Sequence, residues 1–241
     1  MGISQMEQAG IIVEKGCLEE EGFHLNRRFF HFHQMKRPYV ILKWAQTVDG
    51  FIDVIRDPGD PVGKTWITGK VSRTLVHKWR SEEASIMAGT NTIITDNPRL
   101  NVRRWTGDQP VRITIDRNGK LSPDSKILDG SQDTIVFTGV PGKYSGRTRS
   151  IFADPSYDLE ALMEELYDQQ ILSVFVEGGA SLHKSFLETG LWDEARVFTG
   201  KMSFGQGVKA PLLKPDPVES LVYQKTKLQV YLNHSRALHD V

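Results

Sequence analysis

Cysteine is nearly absent: Cys17 is the only one in 241 residues, which excludes an internal disulfide and any multi-cysteine zinc or iron-sulfur site within the chain. That scarcity suits a reducing compartment, and the cytoplasm is the expected location. Long apolar runs are missing too. No stretch approaches the length that crosses a bilayer, and Met1 to Ala9 lacks the apolar core of a secretory signal, so neither insertion nor export is expected. Net charge is also missing, because thirty Lys and Arg balance thirty Asp and Glu. No general attraction to nucleic acid or to an anionic membrane follows, and any anion recognition must be local. The G-x-S-x-G elbow, the P-loop and H-E-x-x-H do not occur, which argues against hydrolase, nucleoside-triphosphatase and metalloprotease chemistry. His24, His31 and His33 form no metal-ligand pattern and read as surface residues, so no metal site is expected.

What is present fits a globular domain: 39% hydrophobic and 25% charged residues are enough for a sizeable core. Residues 1–37 are rich in Glu, His and Arg and read as a tail or connector, with a boundary at Arg37-Pro38 and one unit over 38–241. The apolar, β-prone run Tyr39 to Trp44 predicts a buried strand before the turn at Asp49-Gly50. Trp66-Ile67-Thr68 leads into a helix, with Thr68 as its N-cap and Val71, Leu75, Val76 and Trp79 at helical spacing. Short apolar runs at 86–88, 111–115, 134–137, 173–176 and 196–198 predict further strands. Leu159, Leu162, Met163 and Leu166 make one amphipathic helix; Leu182, Phe186 and Leu187 make another that stops at Gly190. Alternating strands and helices predict an α/β layered sheet, with 221–223 and 228–232 as an added antiparallel pair.

Two segments carry candidate chemistry. Val174-Phe175-Val176-Glu177-Gly178-Gly179-Ala180-Ser181-Leu182 runs from a strand through two glycines into a helix, a junction that offers backbone N–H groups to an anion. Spacing alone supports a phosphate cradle and a tight turn without a ligand equally. It is not a G-x-G-x-x-G, so no Rossmann fingerprint is supported. The second segment, Ala88 to Arg103, reads as loop-rich. There Asp96 before Asn97-Pro98 is by propensity a turn initiator; functionally it is an anionic or proton-handling group beside a cofactor, with Arg99 or Arg103 gripping phosphate. Arg80 closes the helix that begins near Thr68, either as a cation on the helix dipole or as a phosphate contact.

Taken in order, Arg37-Pro38-Tyr39-Val40, Lys43 to Gly50, Trp66-Ile67-Thr68, Thr92 to Arg103, Glu177-Gly178-Gly179 and Gly190 to Glu194 resemble the reductase domain of the bifunctional riboflavin-biosynthesis deaminase/reductase. The resemblance implies a dihydrofolate-reductase-like fold, mostly parallel with antiparallel C-terminal strands and helices on both faces. It also makes residues 1–37 the remnant and connector of a deaminase domain, since Ala9 to Val13 and Leu25 to Phe30 look like that domain's close. The zinc signature H-x-E with P-C-x-x-C is missing, so no deaminase activity is expected, and the chain is expected to be truncated or a fragment of a longer protein.

By position, the family pattern implies NADPH at Ala45, Trp66, Thr92 and Asp96, with its phosphates on Gly178, Gly179 and Ala180. It implies substrate at Arg80, Leu100, Arg103 and Glu177, with Asp96 and Glu177 as candidate catalytic residues. Lys64 replaces the serine common two positions before the Trp of W-I-T and would serve the substrate phosphate by charge; Thr47-Val48 is a milder departure. The implied reaction is NADPH-dependent reduction of 5-amino-6-(5-phosphoribosylamino)uracil to the phosphoribitylamino product by a cytoplasmic homodimer. A pterin or pyrimidine reductase of the same fold would need no phosphate clamp, and a non-catalytic nucleotide-binding module would need no turnover.

Overall fold

A computed structural model describes residues 2–55, 65–154 and 157–233. The strands are β1 (Tyr39–Gln46), β2 (Phe51–Asp53), β3 (Ser85–Gly89), β4 (Val111–Ile115), β5 (Thr134–Thr138), β6 (Thr148–Phe152), β7 (Ser173–Val176), β8 (Glu194–Thr199), β9 (Val208–Lys209), β10 (Glu219–Tyr223) and β11 (Thr226–Leu232). The helices are α1 (Gly2–Gln8), α2 (Glu19–Leu25), α3 (Arg27–Met35), α4 (Lys70–Glu82), α5 (Thr90–Asp96), α6 (Leu159–Asp168) and α7 (Ala180–Thr189). Nine strands form one sheet in the order β10-β11-β8-β1-β7-β3-β4-β5-β6, and β2 pairs separately with β9. From β8 to β6 all neighbours are parallel, while β11 joins β8 and β10 joins β11 antiparallel. The mostly parallel sheet with an antiparallel C-terminal pair is thus present.

Alternation along the strands sorts the core onto two faces. Val40, Leu42, Trp44, Val174 and Val176 pack with Leu162, Met163 and Leu166 of α6 and Phe186 of α7. Tyr39, Ile41, Ile86 and Phe175 pack on the other face with Val76 and Trp79 of α4 and Ile93 of α5. Helices therefore cover both faces, as a parallel sheet requires.

Several expectations are corrected. Thr68 does not cap α4: the helix starts at Lys70 behind Gly69, without a side-chain cap, and Thr68 faces the cleft described below. The span after Gly89 is a helix, α5, although five of its seven residues are Thr or Ile, which are poor helix formers. Burial of Ile93 offsets that propensity, and Asn97 ends the helix in the left-handed region, donating to the Ile93 carbonyl at 3.0 Å. Nor is His31 on the surface: it is 2% exposed, edge-on to Tyr39. Within the tail or connector read before Pro38, α3 is docked, with Phe32 against Tyr167 and Arg28 paired to Glu83.

Arg37 fixes that docking. Its guanidinium donates to both carboxylate oxygens of Asp193, at 2.8 and 2.7 Å, and Asp193 also accepts from the Val40 N–H at 2.7 Å. All of these groups are buried. Removing one partner of such a pair strands the other, so Asp193→Asn should lower the unfolding free energy in urea by about 3 kcal/mol; a loss below about 0.5 kcal/mol, the range of an ordinary surface substitution, would contradict this role.

Candidate active site

In an open parallel sheet ligands bind beyond the carboxyl ends of the strands. A cleft of about 620 Å³ opens there, lined by Ala45, Trp66, Arg80, Thr92, Asp96, Leu100, Arg103, Glu177, Gly178, Gly179 and Ala180. These candidates come together from five separate stretches of sequence; Lys64 lies outside the described residues.

Strand alternation builds the floor. Ile41 and Phe175 are buried on the α4 face, and Leu42 pairs with Val176. Two positions after Ile41 and Phe175, Lys43 and Glu177 continue on that face, one step past the apolar core. There Arg80 comes down from α4, donating to Glu177 from Nε at 2.5 Å and Nη2 at 2.9 Å. Lys43 Nζ lies 3.6 Å from the same carboxylate. Burial pushes the Glu177 carboxyl up, but Arg80 and then Lys43 outweigh it and hold it at about 2. The Lys43 ammonium is pushed down, first by burial and also by Arg80, against the pull of Glu177. Arg80 keeps Glu177 ionised, and Lys43 is left holding its proton weakly.

On the cofactor side, β7 turns through Gly178-Gly179 into α7. A Cβ on Gly178 would lie 2.8 Å from Thr92 Cγ2, and Gly179 has φ +84°; the close approach of α5 and the left-handed turn both demand glycine. No side chain caps α7, so its first N–H groups have no partner within the helix. An uncapped helix start lined by glycines fits a diphosphate. His183, buried in the first turns of α7, sets its ring nitrogens against the Gly179 and Val176 carbonyls at 3.1 and 3.3 Å and its ring against Trp44. Burial pushes its pKa down to about 4. The rim residue Trp66 is 52% exposed and carries the Arg73 guanidinium 4.4 Å from its ring centre. Asp96 ends α5 at the cleft wall.

The opposite end is cationic. Arg103 is shifted down by burial and then by Arg80 and Arg104, a crowding of like charges. Leu100, 3% exposed, holds φ +48° there, a strained backbone of the kind found at functional sites. Among the described lining residues, Lys43, Arg73, Arg80, Arg103 and Arg104 face only Asp53, Asp96 and Glu177. Such an excess of positive charge is suited to an anion.

Sequence reasoning missed Lys43, Arg73, His77, Arg104 and His183. Lys43 gave one signal, a lysine inside the apolar run Val40 to Trp44; the others look like ordinary polar residues of helices and loops. Among the described residues, no three His, Cys, Asp or Glu side chains gather as metal ligands would.

Comparison with known proteins gives one consistent picture. The RibD C-terminal domain family matches residues 38–239. The riboflavin biosynthesis protein RibD of Aquifex aeolicus is 33% identical over 235 residues, covering 95% of this chain and 65% of that protein. The RibD of Actinobacillus pleuropneumoniae is 34% identical, covering 88% and 58%. This chain therefore spans about three fifths of the length of these relatives. A 2,5-diamino-6-ribosylamino-4(3H)-pyrimidinone 5′-phosphate reductase of Methanothermobacter thermautotrophicus is 34% identical over 70% of this chain and 80% of its own length. Among solved structures, a deaminase/5-amino-6-(5-phosphoribosylamino)uracil reductase of Thermotoga maritima superposes with a TM-score of 0.84 at 30% identity, covering 95% of this chain and 66% of that one.

The ion group in the floor has a measurable pH signature. The Glu177 carboxyl lies below its ordinary value of 4.5 in the folded chain, so its stabilising contribution is complete above that value and is lost as the pH falls toward 2. Glu177→Gln, which leaves Arg80 and Lys43 without a counter-charge, should lower the unfolding free energy at pH 7 by about 3 kcal/mol. That gap between wild type and variant should narrow on titration from pH 5 to pH 3. A gap that stays constant would show that Glu177 is not held ionised by the fold.

Proposed function

The chain belongs to the RibD C-terminal domain family, and from that premise we propose that it reduces 5-amino-6-(5-phosphoribosylamino)uracil to the phosphoribitylamino product with NADPH. The observation that carries this reading is the pairing, across one cleft, of an uncapped glycine-lined helix start with a crowded arginine end. A dinucleotide and a sugar phosphate each need an anion site, and the two sites flank the Lys43–Glu177–Arg80 floor. The names of the Methanothermobacter and Thermotoga relatives share one chemical element, a ribosylamino pyrimidine carrying a 5′-phosphate. That element is what the cleft is suited to hold.

NADPH, when bound at Ala45, Trp66, Thr92, Asp96 and Gly178 to Ala180, supplies the hydride. Arg103 acts at the far end, which Arg80 reaches from the floor through the Asn101 carbonyl, and holding the phosphate there turns binding energy into orientation of the sugar carbon. Opening of the ribose breaks the bond from C1′ to the ring oxygen and forms a C1′=N bond, with the amine proton passing to that oxygen. Reduction then requires a hydride at C1′ and a proton at nitrogen. Glu177, held ionised, is an anion that steadies positive charge on that nitrogen rather than a proton donor. Lys43, with its weakly held proton, is the donor. The same reading makes the working form a cytoplasmic homodimer.

Purified chain should oxidise NADPH when given the phosphoribosylaminouracil, and should do so poorly with the dephosphorylated analogue. Arg103→Ala should raise KM for the phosphorylated substrate roughly 10- to 100-fold, the range of charge-assisted hydrogen bonds, with NADPH affinity little changed. No activity on either compound would refute the assignment. Equal activity on both would favour a pyrimidine or pterin reductase without a phosphate clamp.

A further inference from the structure

Helix α4 reaches the arginine end of the cleft through a second residue. His77 and Arg80 lie three positions apart and so share one helix face, and both meet the loop that carries Arg103. Arg80 Nη1 donates to the Asn101 carbonyl at 2.9 Å, and His77 Nδ1 accepts the Arg103 N–H at 3.3 Å. From elsewhere in the loop, Gln109 donates to the Val102 carbonyl at 2.9 Å and accepts the Val102 N–H at 2.8 Å. The backbone is thus gripped at Asn101, at Val102 on both sides, and at Arg103. The Arg103 side chain in turn donates from Nη1 to Asn101 Oδ1 at 3.0 Å.

We propose that His77 is a positioning residue of the anion clamp, an acceptor that latches the Arg103 backbone and so presents the Arg103 guanidinium to the cleft. The proposal rests on reading this end as the substrate-phosphate site. His77 is 4% exposed and borders the cleft beside Val76, which belongs to the core. The latch needs a lone pair on Nδ1, so the ring must stay neutral with its proton on Nε2. Its surroundings enforce that state. Burial, then Arg80 and Arg103, push His77 down to about 4, with Arg104 adding to them and Glu177 opposing. A guanidinium on an exposed, unlatched loop would have to be ordered when phosphate arrives, and the latch removes that requirement in advance.

The test is calorimetric titration of the full chain with ribose 5-phosphate and with ribose, for wild type, His77→Ala and His77→Asn. Loss of one latching hydrogen bond should weaken ribose 5-phosphate binding roughly tenfold in His77→Ala and leave NADPH affinity unchanged. Asn places an amide oxygen near the position of Nδ1 and should recover most of the loss. In an Arg103→Ala background, His77→Ala should have little further effect, because the guanidinium it positions is gone. If wild type does not bind ribose 5-phosphate more tightly than ribose, the phosphate reading fails and the latch fails with it. If wild type discriminates and His77→Ala discriminates equally, or His77→Asn recovers nothing, the latch alone is wrong.

Discussion

The carboxylate of Glu177 receives Arg80 from α4 and Lys43 from β1, and this ion group sets how closely the helix can approach two neighbouring strands. The three charges are largely withdrawn from water, and a pair so placed contributes little net stability by itself. What it supplies is position. Ile41 and Phe175 bury the strands beneath it, so the first polar residues past the core on that face fall at Lys43 and Glu177. Arg80 then spans from the floor to the Asn101 carbonyl, joining the sheet to the loop that carries Arg103. Floor and anion end are consequently one connected hydrogen-bonded structure.

Much of this architecture is written in apolar periodicity. The strands at 39–44, 111–115 and 173–176 and the apolar stripes of α6 and α7 follow from patterns that local reading detects, because burial on both faces leaves little room for other residues. α5 escaped for a physical reason: its Thr- and Ile-rich sequence favours extended structure locally, and only packing of Ile93 makes it helical. His31 and Arg37 escaped because both meet Asp193, which is remote in sequence. The glycines at 178 and 179 were legible as a turn into a helix. Their need to clear Thr92 was not, since that clash arises only when α5 is placed against the loop.

The site shows the same division. Residues recognisable by family pattern, such as Arg80, Arg103 and Glu177, meet in one cleft, whereas those around them left no trace in the sequence beyond the placement of Lys43 in an apolar run. Lys43 sits one strand away from Glu177, and His77 touches Arg103 across 26 positions. Supporting residues of this kind depend on which elements become neighbours, information that a single stretch of sequence does not contain. Charge and backbone held in place before a ligand arrives are the kind of preorganisation from which enzymes gain their advantage over solution.

We propose that the cleft brings the nicotinamide against the sugar carbon of a phosphoribosylamino pyrimidine. The most direct measurement is mass spectrometry of the product formed with NADPH deuterated at nicotinamide C4. One stereoisomer of the labelled cofactor should deliver a single deuterium to the carbon that was C1′ of the ribose. Oxidised cofactor with no deuterium at that carbon would contradict the account.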